Sequence, residues 1–147
     1  MAGSDEVFDA AFRACGIIRV ETIEELFNTG VDMLTQEPMK GKRVAVVSNV
    51  GGPAILAADR LEYEGLTLAS LTSSTRGKLS ESIPEIFPTP ESVINPIDTI
   101  ADAHADRFIM ILKHVLVDPE VDGVMIINML KSTFFRPEEA AEIARID

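Results

Sequence analysis

The chain has 147 residues, of which 24 are acidic and 13 basic, and 46% are hydrophobic. This composition is typical of a globular domain with a sizeable core and excludes a disordered chain. The net charge of −11 argues against nucleic acid or an anionic membrane as a partner, because both need a basic surface. The one cysteine, Cys15, cannot form an internal disulfide, and no Cys/His cluster has metal-site spacing. We therefore expect no bound metal and a reducing, cytoplasmic environment.

No targeting or membrane-spanning segment is predicted. The first residues are acidic where a secretory signal is basic, and no apolar stretch follows them. The longest uncharged run, 44–58, contains Gly and Pro and is too short to span a bilayer. We therefore expect no membrane partner.

The chain opens with helical periodicity. Four residues recur at the spacing of one helix face, namely Phe8, Ala11, Phe12 and Cys15. We expect this helix to begin after Ser4 and to end at Gly16, with Cys15 in the core. The run 17–20 predicts a short strand.

A second helix is predicted from the capping-box pair of Thr22 and Glu25. The later residues 37–42 are polar and contain Pro and Gly, which indicates a linker. We therefore expect a domain boundary there, with residues 1–36 before it and 43–147 after it.

Strands and helices alternate beyond the linker. The runs 43–48 and 123–128 are apolar without alternation, which predicts strands covered on both faces. Shorter strands are predicted at 66–71 and 92–98. This order predicts an α/β fold with an open, mostly parallel sheet flanked by helices. Because such a sheet normally has one or two further units, we expect it to be incomplete at its C-terminal end.

The first candidate site is the turn after the first buried strand. Ligands of open α/β sheets bind beyond the carboxyl ends of the strands. The turn consists of Asn49, Val50, Gly51, Gly52, Pro53 and Ala54. We expect Pro53 at the first helical position and glycine backbone that a phosphate or carboxylate can approach at the helix N-terminus. The turn lacks both GxGxxG and the P-loop lysine, and a tight turn without a ligand remains the alternative.

Other polar residues follow the later strands. Asn95 and Asp98 are candidates to line the same crevice, although the residues alone favour a turn at Asn95 and a capping or solvated Asp98. Residues 128–136 form the third strand-to-helix segment. His104 and His114 have no nucleophile or second metal ligand at recognisable spacing, so we predict surface histidines.

Several segments together resemble the ADP-forming acyl-CoA synthetases, relatives of succinyl-CoA synthetase. The clearest are GSDEVFDAAFR at 3–13, RVAVVSNVGGPA at 43–54, NPID at 95–98 and DPEVDGV at 118–124. The resemblance covers essentially the whole chain. It implies that residues 1–36 are the tail of one flavodoxin-like ligase domain and that 43–147 are most of the next.

The resemblance also implies a reaction. In this family acyl-CoA, ADP and phosphate are converted reversibly to carboxylic acid, ATP and CoA through a phosphohistidine. The helix that opens at Gly51, Gly52, Pro53 and Ala54 resembles one of the helices aimed at that phosphohistidine, and Asn49 and Val50 belong to the same turn.

Much of the family's machinery is expected outside this chain. The phosphohistidine, a CoA-binding domain and an ATP-grasp domain are among the missing parts, so these domains are the expected partners. The chain alone is predicted to be inactive and to hold none of CoA, ATP, ADP, phosphate and Mg tightly. An open sheet edge favours self-association. The alternative is a stand-alone anion-binding or regulatory module with a flavodoxin-like fold.

Overall fold

The computed structural model describes residues 4–129 and 137–145. The chain divides into two compact units, Met1–Pro38 and Met39–Asp147, which we call the N-terminal unit and the α/β unit. The elements in chain order are α1 (Asp5–Cys15), α2 (Ile23–Thr35), β1 (Arg43–Ser48), α3 (Gly51–Tyr63), β2 (Thr67–Leu68), α4 (Ser73–Ser82), β3 (Ile97–Asp98), α5 (Ala105–Val115), β4 (Gly123–Ile127) and α6 (Pro137–Ile143). None of the helices within these described residues is long and apolar enough to cross a membrane.

Local signals define both helices of the N-terminal unit. Gly16 ends α1 at φ +67°, a left-handed conformation that glycine adopts without a steric cost. The predicted capping box of Thr22 and Glu25 opens α2. Neither helix buries a residue, and Cys15 is exposed, so its predicted core position is wrong. Residues 17–20 are also not a strand, since no strand within residues 4–38 pairs with them.

The sheet of the α/β unit is built around β1. Its one edge pairs in parallel with β2 and, further along, with β3. Its other edge pairs in parallel with β4 over five residues, from Val44 opposite Gly123 to Ser48 opposite Ile127. This arrangement, with helices packed on the sheet, confirms the predicted α/β class with a parallel, flavodoxin-like sheet.

The strands β2 and β3 are shorter than predicted because one side chain takes up part of the β1 edge. The Asn95 amide accepts a hydrogen bond from Val46 N at 2.9 Å and donates to the carbonyls of Val44 (2.9 Å) and Ala69 (3.0 Å). Along the β1 edge, between β2 and β3, the Asn95 amide thus makes the hydrogen bonds that a backbone peptide group of a neighbouring strand would make. Regular pairing is consequently limited to two residues in each strand.

The two faces of the sheet are covered unequally. On one face, Ala45 and Val47 belong to a large core that includes Leu79, Phe108 and Ile111. On the other face, α3 covers a smaller cluster made of Val44, Val46, Ala54 and Leu61.

The strand β4 was predicted to be buried on both faces, which is correct only in part. Met125 is 37% exposed and Ile126 is 41% exposed. The strand lies at the edge of the sheet in the described chain, and an edge strand receives less cover than the central β1.

An ion-pair cluster fastens the amino ends of β1 and β4. The Arg43 guanidinium donates two hydrogen bonds to Asp122, both at 2.8 Å, and the Arg43 backbone N–H also donates to that carboxylate. A further bond joins Arg43 to Glu120 at 2.6 Å. These bonds from Arg43 lower the pKa of Asp122, and the same pairing raises the pKa of Arg43. This ion-pair cluster therefore helps to fix the register between β1 and β4.

Candidate functional site

The turn after β1 is held rigidly by its own side chains. The Ser48 hydroxyl accepts a hydrogen bond from Val50 N at 3.0 Å and donates one to Val50 O at 2.9 Å. Asn49 is 2% exposed, and its amide donates to Asn128 Oδ1 at 3.0 Å and accepts from Met129 N at 3.1 Å. The turn is therefore locked to the carboxyl end of β4.

Helix α3 begins at Gly51, two residues before the predicted start. Pro53 is its third residue, a position that suits proline because the first N–H groups of a helix have no partner within it. Among the described residues, the amides of Gly51 and Gly52 have no hydrogen-bond acceptor, whereas Ala54 N bonds to Val50 O at 3.3 Å. Two free N–H groups thus lie at the positive end of the helix.

The two glycines have different surroundings. A Cβ added to Gly52 would meet nothing within 4 Å, so its backbone is open to approach. A Cβ added to Gly51 would lie 3.7 Å from Asp98 Oδ2. The structure therefore brings Asp98, a candidate from the sequence, to the start of α3. A carboxylate therefore lies beside Gly51, whereas the space beside Gly52 is open.

The Asp98 carboxylate is positioned by a turn that sequence reasoning missed. Its Oδ1 accepts a hydrogen bond from Ile100 N at 2.8 Å. Ile100 has φ +66°, a left-handed conformation that is strained for a β-branched residue. An Asp two residues before the closing N–H is the local signal that predicts such an Asx turn. The strain is tolerated because the neighbouring residues are fixed.

These neighbours are fixed by Thr99 and Arg107. Thr99 is fully buried, and its N–H and hydroxyl both donate to Ser48 O. The Arg107 guanidinium donates to Thr99 O at 2.9 Å and to Asp102 at 2.6 Å, and this contact lowers the pKa of Asp102. The loop after β3 therefore has little freedom beside the start of α3.

Asn95, a candidate from the sequence, and Asn128, the first residue of the third strand-to-helix segment, differ in the hydrogen bonds that they can still form. The Asn95 amide is committed to three backbone groups of the sheet. By contrast, Asn128 Nδ2 is buried and has no hydrogen-bond partner among the described residues. Residues 130–136, the remainder of the third predicted segment, lie outside the described residues. A free donor thus lies beside Asn49, next to the α3 turn.

Neither histidine joins this cluster of residues. His104 precedes α5, and its Nδ1 lies 3.5 Å from the nearly buried Glu139 carboxylate. His114 lies in the last turn of α5. In the described parts of the chain, no three His, Cys, Asp or Glu side chains come together as a metal site would require. The site has hydrogen-bond donors and one carboxylate, which are groups that bind and orient a ligand.

Comparisons with known proteins match this architecture. A family model described as the succinyl-CoA ligase like flavodoxin domain matches residues 1–31. The chain is 36% identical over 144 residues to the acetate–CoA ligase [ADP-forming] II subunit alpha of Pyrococcus furiosus, covering 97% of this chain and 30% of that subunit. It is also 36% identical over 125 residues to the 4-hydroxybutyrate–CoA ligase [ADP-forming] of Nitrosopumilus maritimus, covering 85% of this chain and 17% of that protein.

A solved structure shares the fold. The dinucleotide forming acetyl-coenzyme A synthetase 1 of Ca. Korarchaeum cryptofilum superposes with a TM-score of 0.83 at 24% identity, covering 98% of this chain and 31% of that one. The chain thus spans less than a third of the length of these proteins. The resemblance predicted from the sequence is confirmed: over nearly its whole length, the chain is related to a flavodoxin-like region of the ADP-forming acyl-CoA synthetases.

Proposed function

We propose that this chain supplies a phosphohistidine-facing part of an ADP-forming acyl-CoA synthetase. The reaction interconverts acyl-CoA, ADP and phosphate with carboxylic acid, ATP and CoA, and the histidine that carries the phosphoryl group lies outside this chain. The observation that supports this role is the pair of free amides on Gly51 and Gly52 at the positive end of α3. Such N–H groups, aided by the helix dipole, favour the oxygens of a phosphoryl group.

The charge around α3 suggests how a phosphohistidine is oriented. Asp98 lies on the Gly51 side of the helix start and repels a phosphoryl oxygen placed there, whereas the space at Gly52 is open. The phosphoryl oxygens therefore lie on the Gly52 side, and the Asp98 carboxylate accepts a hydrogen bond from the free N–H of the imidazole. Asn128 Nδ2, which has no hydrogen-bond partner among the described residues, is a further donor beside this turn.

The remaining parts of the enzyme are proposed as the partners of this chain. In this proposal, residues 1–36 complete one flavodoxin-like domain and 43–147 belong to the next. The exposed apolar side chains of α1 and α2 support a covered state of the N-terminal unit, since helices of this length owe most of their stability to packing. A CoA-binding domain and an ATP-grasp domain are the partners that the reaction requires.

Backbone amide NMR with inorganic phosphate tests the binding part of this proposal. We expect the amides of Gly51 and Gly52 to shift most as phosphate is added. Gly52→Pro removes one of the two donors from the first helical turn and should weaken the shift of the remaining Gly51 amide, because proline has no N–H. Gly52→Ala is the matched control, since its Cβ meets open space and its N–H is kept. If the largest shifts fall elsewhere, or the Gly51 shift is as large in Gly52→Pro as in Gly52→Ala, the site is assigned wrongly.

Binding of phosphate alone does not separate a synthetase part from a stand-alone module. The mass of the native gene product, measured with an antibody against this chain, separates them. The synthetase proposal expects either a species several times larger than this chain or co-purification with the other synthetase domains. A lone species that co-purifies with neither domain would refute it.

A further inference from the structure

Strand β2 pairs with β1 through one of its two edges. Thr67 N donates to Lys42 O at 2.9 Å, and Ala69 N donates to Val44 O at 2.8 Å. Because successive N–H groups point to opposite edges of a strand, the N–H and C=O of Leu68 point away from β1. No second strand pairs with β2 in the described part of the chain. We call this side of the strand the outer edge of β2.

A groove lies beside the outer edge on each face of the sheet. The groove on the α3 face has a volume of about 290 Å³ and is lined by Ala58, Asp59, Glu62, Leu66, Thr67 and Leu68. The groove on the α4 face has a volume of about 330 Å³, and its lining includes Leu68, Leu71, Val93, Ile94 and Arg76. An added strand needs both features, since its backbone pairs with a sheet edge and its side chains enter pockets on alternate faces.

The sequence of this edge does nothing to prevent pairing. Exposed sheet edges are normally protected by charged residues or proline, because they pair readily with other chains. Residues 65–72 contain neither, and Leu68 is 38% exposed. The free edge of β4 differs, because the further units expected from the sequence add on that side of the sheet. The outer edge of β2 is therefore the edge that needs cover from elsewhere.

Charge selects what covers this edge. Asp59 and Glu62 are exposed along the α3 groove, and neither forms an ion pair with the described residues. Antiparallel pairing of β2 with a second copy would place the same two carboxylates of that copy on the same face, in chains that each carry a net charge of −11. Basic side chains on a partner strand would instead pair with them.

The α4 groove asks for different side chains. Leu71 and Val93 belong to the large core, and Ile94 beside them is 69% exposed. Arg76 also lines this groove and disfavours a second cation there. Apolar side chains therefore suit the α4 face, whereas basic side chains suit the α3 face.

We propose that the outer edge of β2 docks an extended segment of a partner chain in which basic and apolar residues alternate. The segment adds a strand to the sheet, with its basic side chains against Asp59 and Glu62 and its apolar side chains against Leu71 and Ile94. The inference does not rest on the proposed function, because it uses neither the start of α3 nor the phosphohistidine.

NMR of the full chain tests this docking site with a synthetic peptide as the probe. The peptide has about eight residues, a usual strand length, and alternates lysine with valine. We expect saturable shifts of the backbone amides of residues 66–70 and of the Leu71 and Ile94 methyl groups. The matched control is a peptide with glutamate in place of lysine, which should bind at least about tenfold more weakly because its carboxylates face Asp59 and Glu62.

Two further changes separate the backbone contribution from the charge contribution. N-methylation of all the valines or of all the lysines removes the N–H donors of one peptide edge, so one of these two peptides should lose binding. Asp59→Asn combined with Glu62→Gln should weaken binding about threefold to tenfold, because two exposed ion pairs are lost. Glu138→Gln combined with Glu142→Gln makes the same change of charge on α6, which packs beside β4, and should leave binding unchanged.

Several outcomes would overturn this assignment. They are the absence of a saturable shift, equal binding of the glutamate peptide, binding that survives both N-methylations, and unchanged affinity when Asp59 and Glu62 are neutralised. A dimer of the free chain with the Leu68 amide protected from exchange would make a second copy the occupant and would also overturn it. Phosphate shifts at Gly51 and Gly52 report on the other proposal, so the two can fail separately.

Discussion

The helices of the two units of the chain have similarly well-formed ends, but they differ in how far they bury their apolar side chains. In the N-terminal unit, α1 and α2 have well-formed ends, yet Phe27 is 70% exposed and Leu34 is 88% exposed. In the α/β unit, Phe108 on α5 and Leu79 on α4 are fully buried. Local hydrogen bonds and periodicity therefore specify a helix in both units, but burial stabilises the fold in one of them.

An apolar face on a helix contributes to stability only when another part of the protein covers it. A helix of 11 to 13 residues is marginal in water, and its stability in a protein comes mostly from the face it buries. We therefore expect the same substitution to have a large effect in the α/β unit and a small one in the N-terminal unit.

The largest expected contrast is between two phenylalanines. Phe108→Ala should lower the free energy of unfolding by about 3–5 kcal/mol, because it leaves a cavity in the large core. Phe27→Ala, the matched change on α2, should alter it by less than about 0.5 kcal/mol. Urea denaturation of both variants measures the contrast. Comparable losses would mean that α2 is packed as tightly as α5, and the comparison would fail.

The next contrast concerns two asparagines. Asn95→Ala should cost about 2–3 kcal/mol, since three hydrogen bonds are lost and backbone groups of the sheet are left without partners. Asn28→Ala on the exposed surface of α2 should be neutral or slightly stabilising. The same denaturation experiment applies, with amide exchange at Val46 as a local probe. Unchanged protection of Val46 in Asn95→Ala would show that the amide does not substitute for a strand.

Two aspartates give a contrast that depends on pH. Burial raises the pKa of Asp118, but hydrogen bonds from Thr72, Thr75 and Glu120 N outweigh it, so the net pKa is lowered. Its stabilisation is therefore complete above the unfolded pKa of about 3.9 and is lost as the pH falls through the lower folded pKa. Asp118→Asn should cost about 1–3 kcal/mol at neutral pH, shrinking in acid.

The control for this pH dependence is Asp32→Asn on exposed α2, which should leave the stability curve unchanged. The free energy of unfolding of both variants is measured at pH values from neutral down to below the pKa of an ordinary aspartate. An Asp118→Asn deficit that stays constant with pH would show that the carboxylate charge is not what stabilises this loop.

The smallest expected effect lies within the N-terminal unit itself. Thr22→Ala removes the capping hydroxyl and should cost α2 about 1 kcal/mol, which speeds hydrogen exchange at Glu25 N. Thr35→Ala is the matched control, because that hydroxyl bonds only the Val31 carbonyl near the other end of the helix. Equal exchange rates in the two variants would mean that the cap does not hold the helix start.

Much of the fold was predictable because its signals are local. The capping box of Thr22 and Glu25, the left-handed Gly16 and the unbroken apolar run of β1 all act within a few residues. The boundaries that failed depend on distant neighbours. Strand β2 stops early because of Asn95, and β4 is half exposed because of its place at the edge of the sheet.

The residues of the candidate site were likewise predictable only where the signal is local in the sequence. The Gly-Gly turn after a buried strand was visible in the sequence, since the turn and the helix start are contiguous. The approach of Asp98 to Gly51, the strained Ile100 and the free Asn128 donor were not. They come from three different strand ends that only a parallel sheet brings together.

By itself, therefore, the sequence determined the α/β class, the end of α1 and the start of α2, the turn before α3 and the resemblance to ADP-forming acyl-CoA synthetases. The tertiary structure decided which polar groups are satisfied: Asn95 by the sheet, Asp122 by Arg43, and Arg76 by no group in the described chain. The physical reason is that periodicity and capping act over a few residues, whereas the partners of a buried polar group are fixed only when distant segments meet.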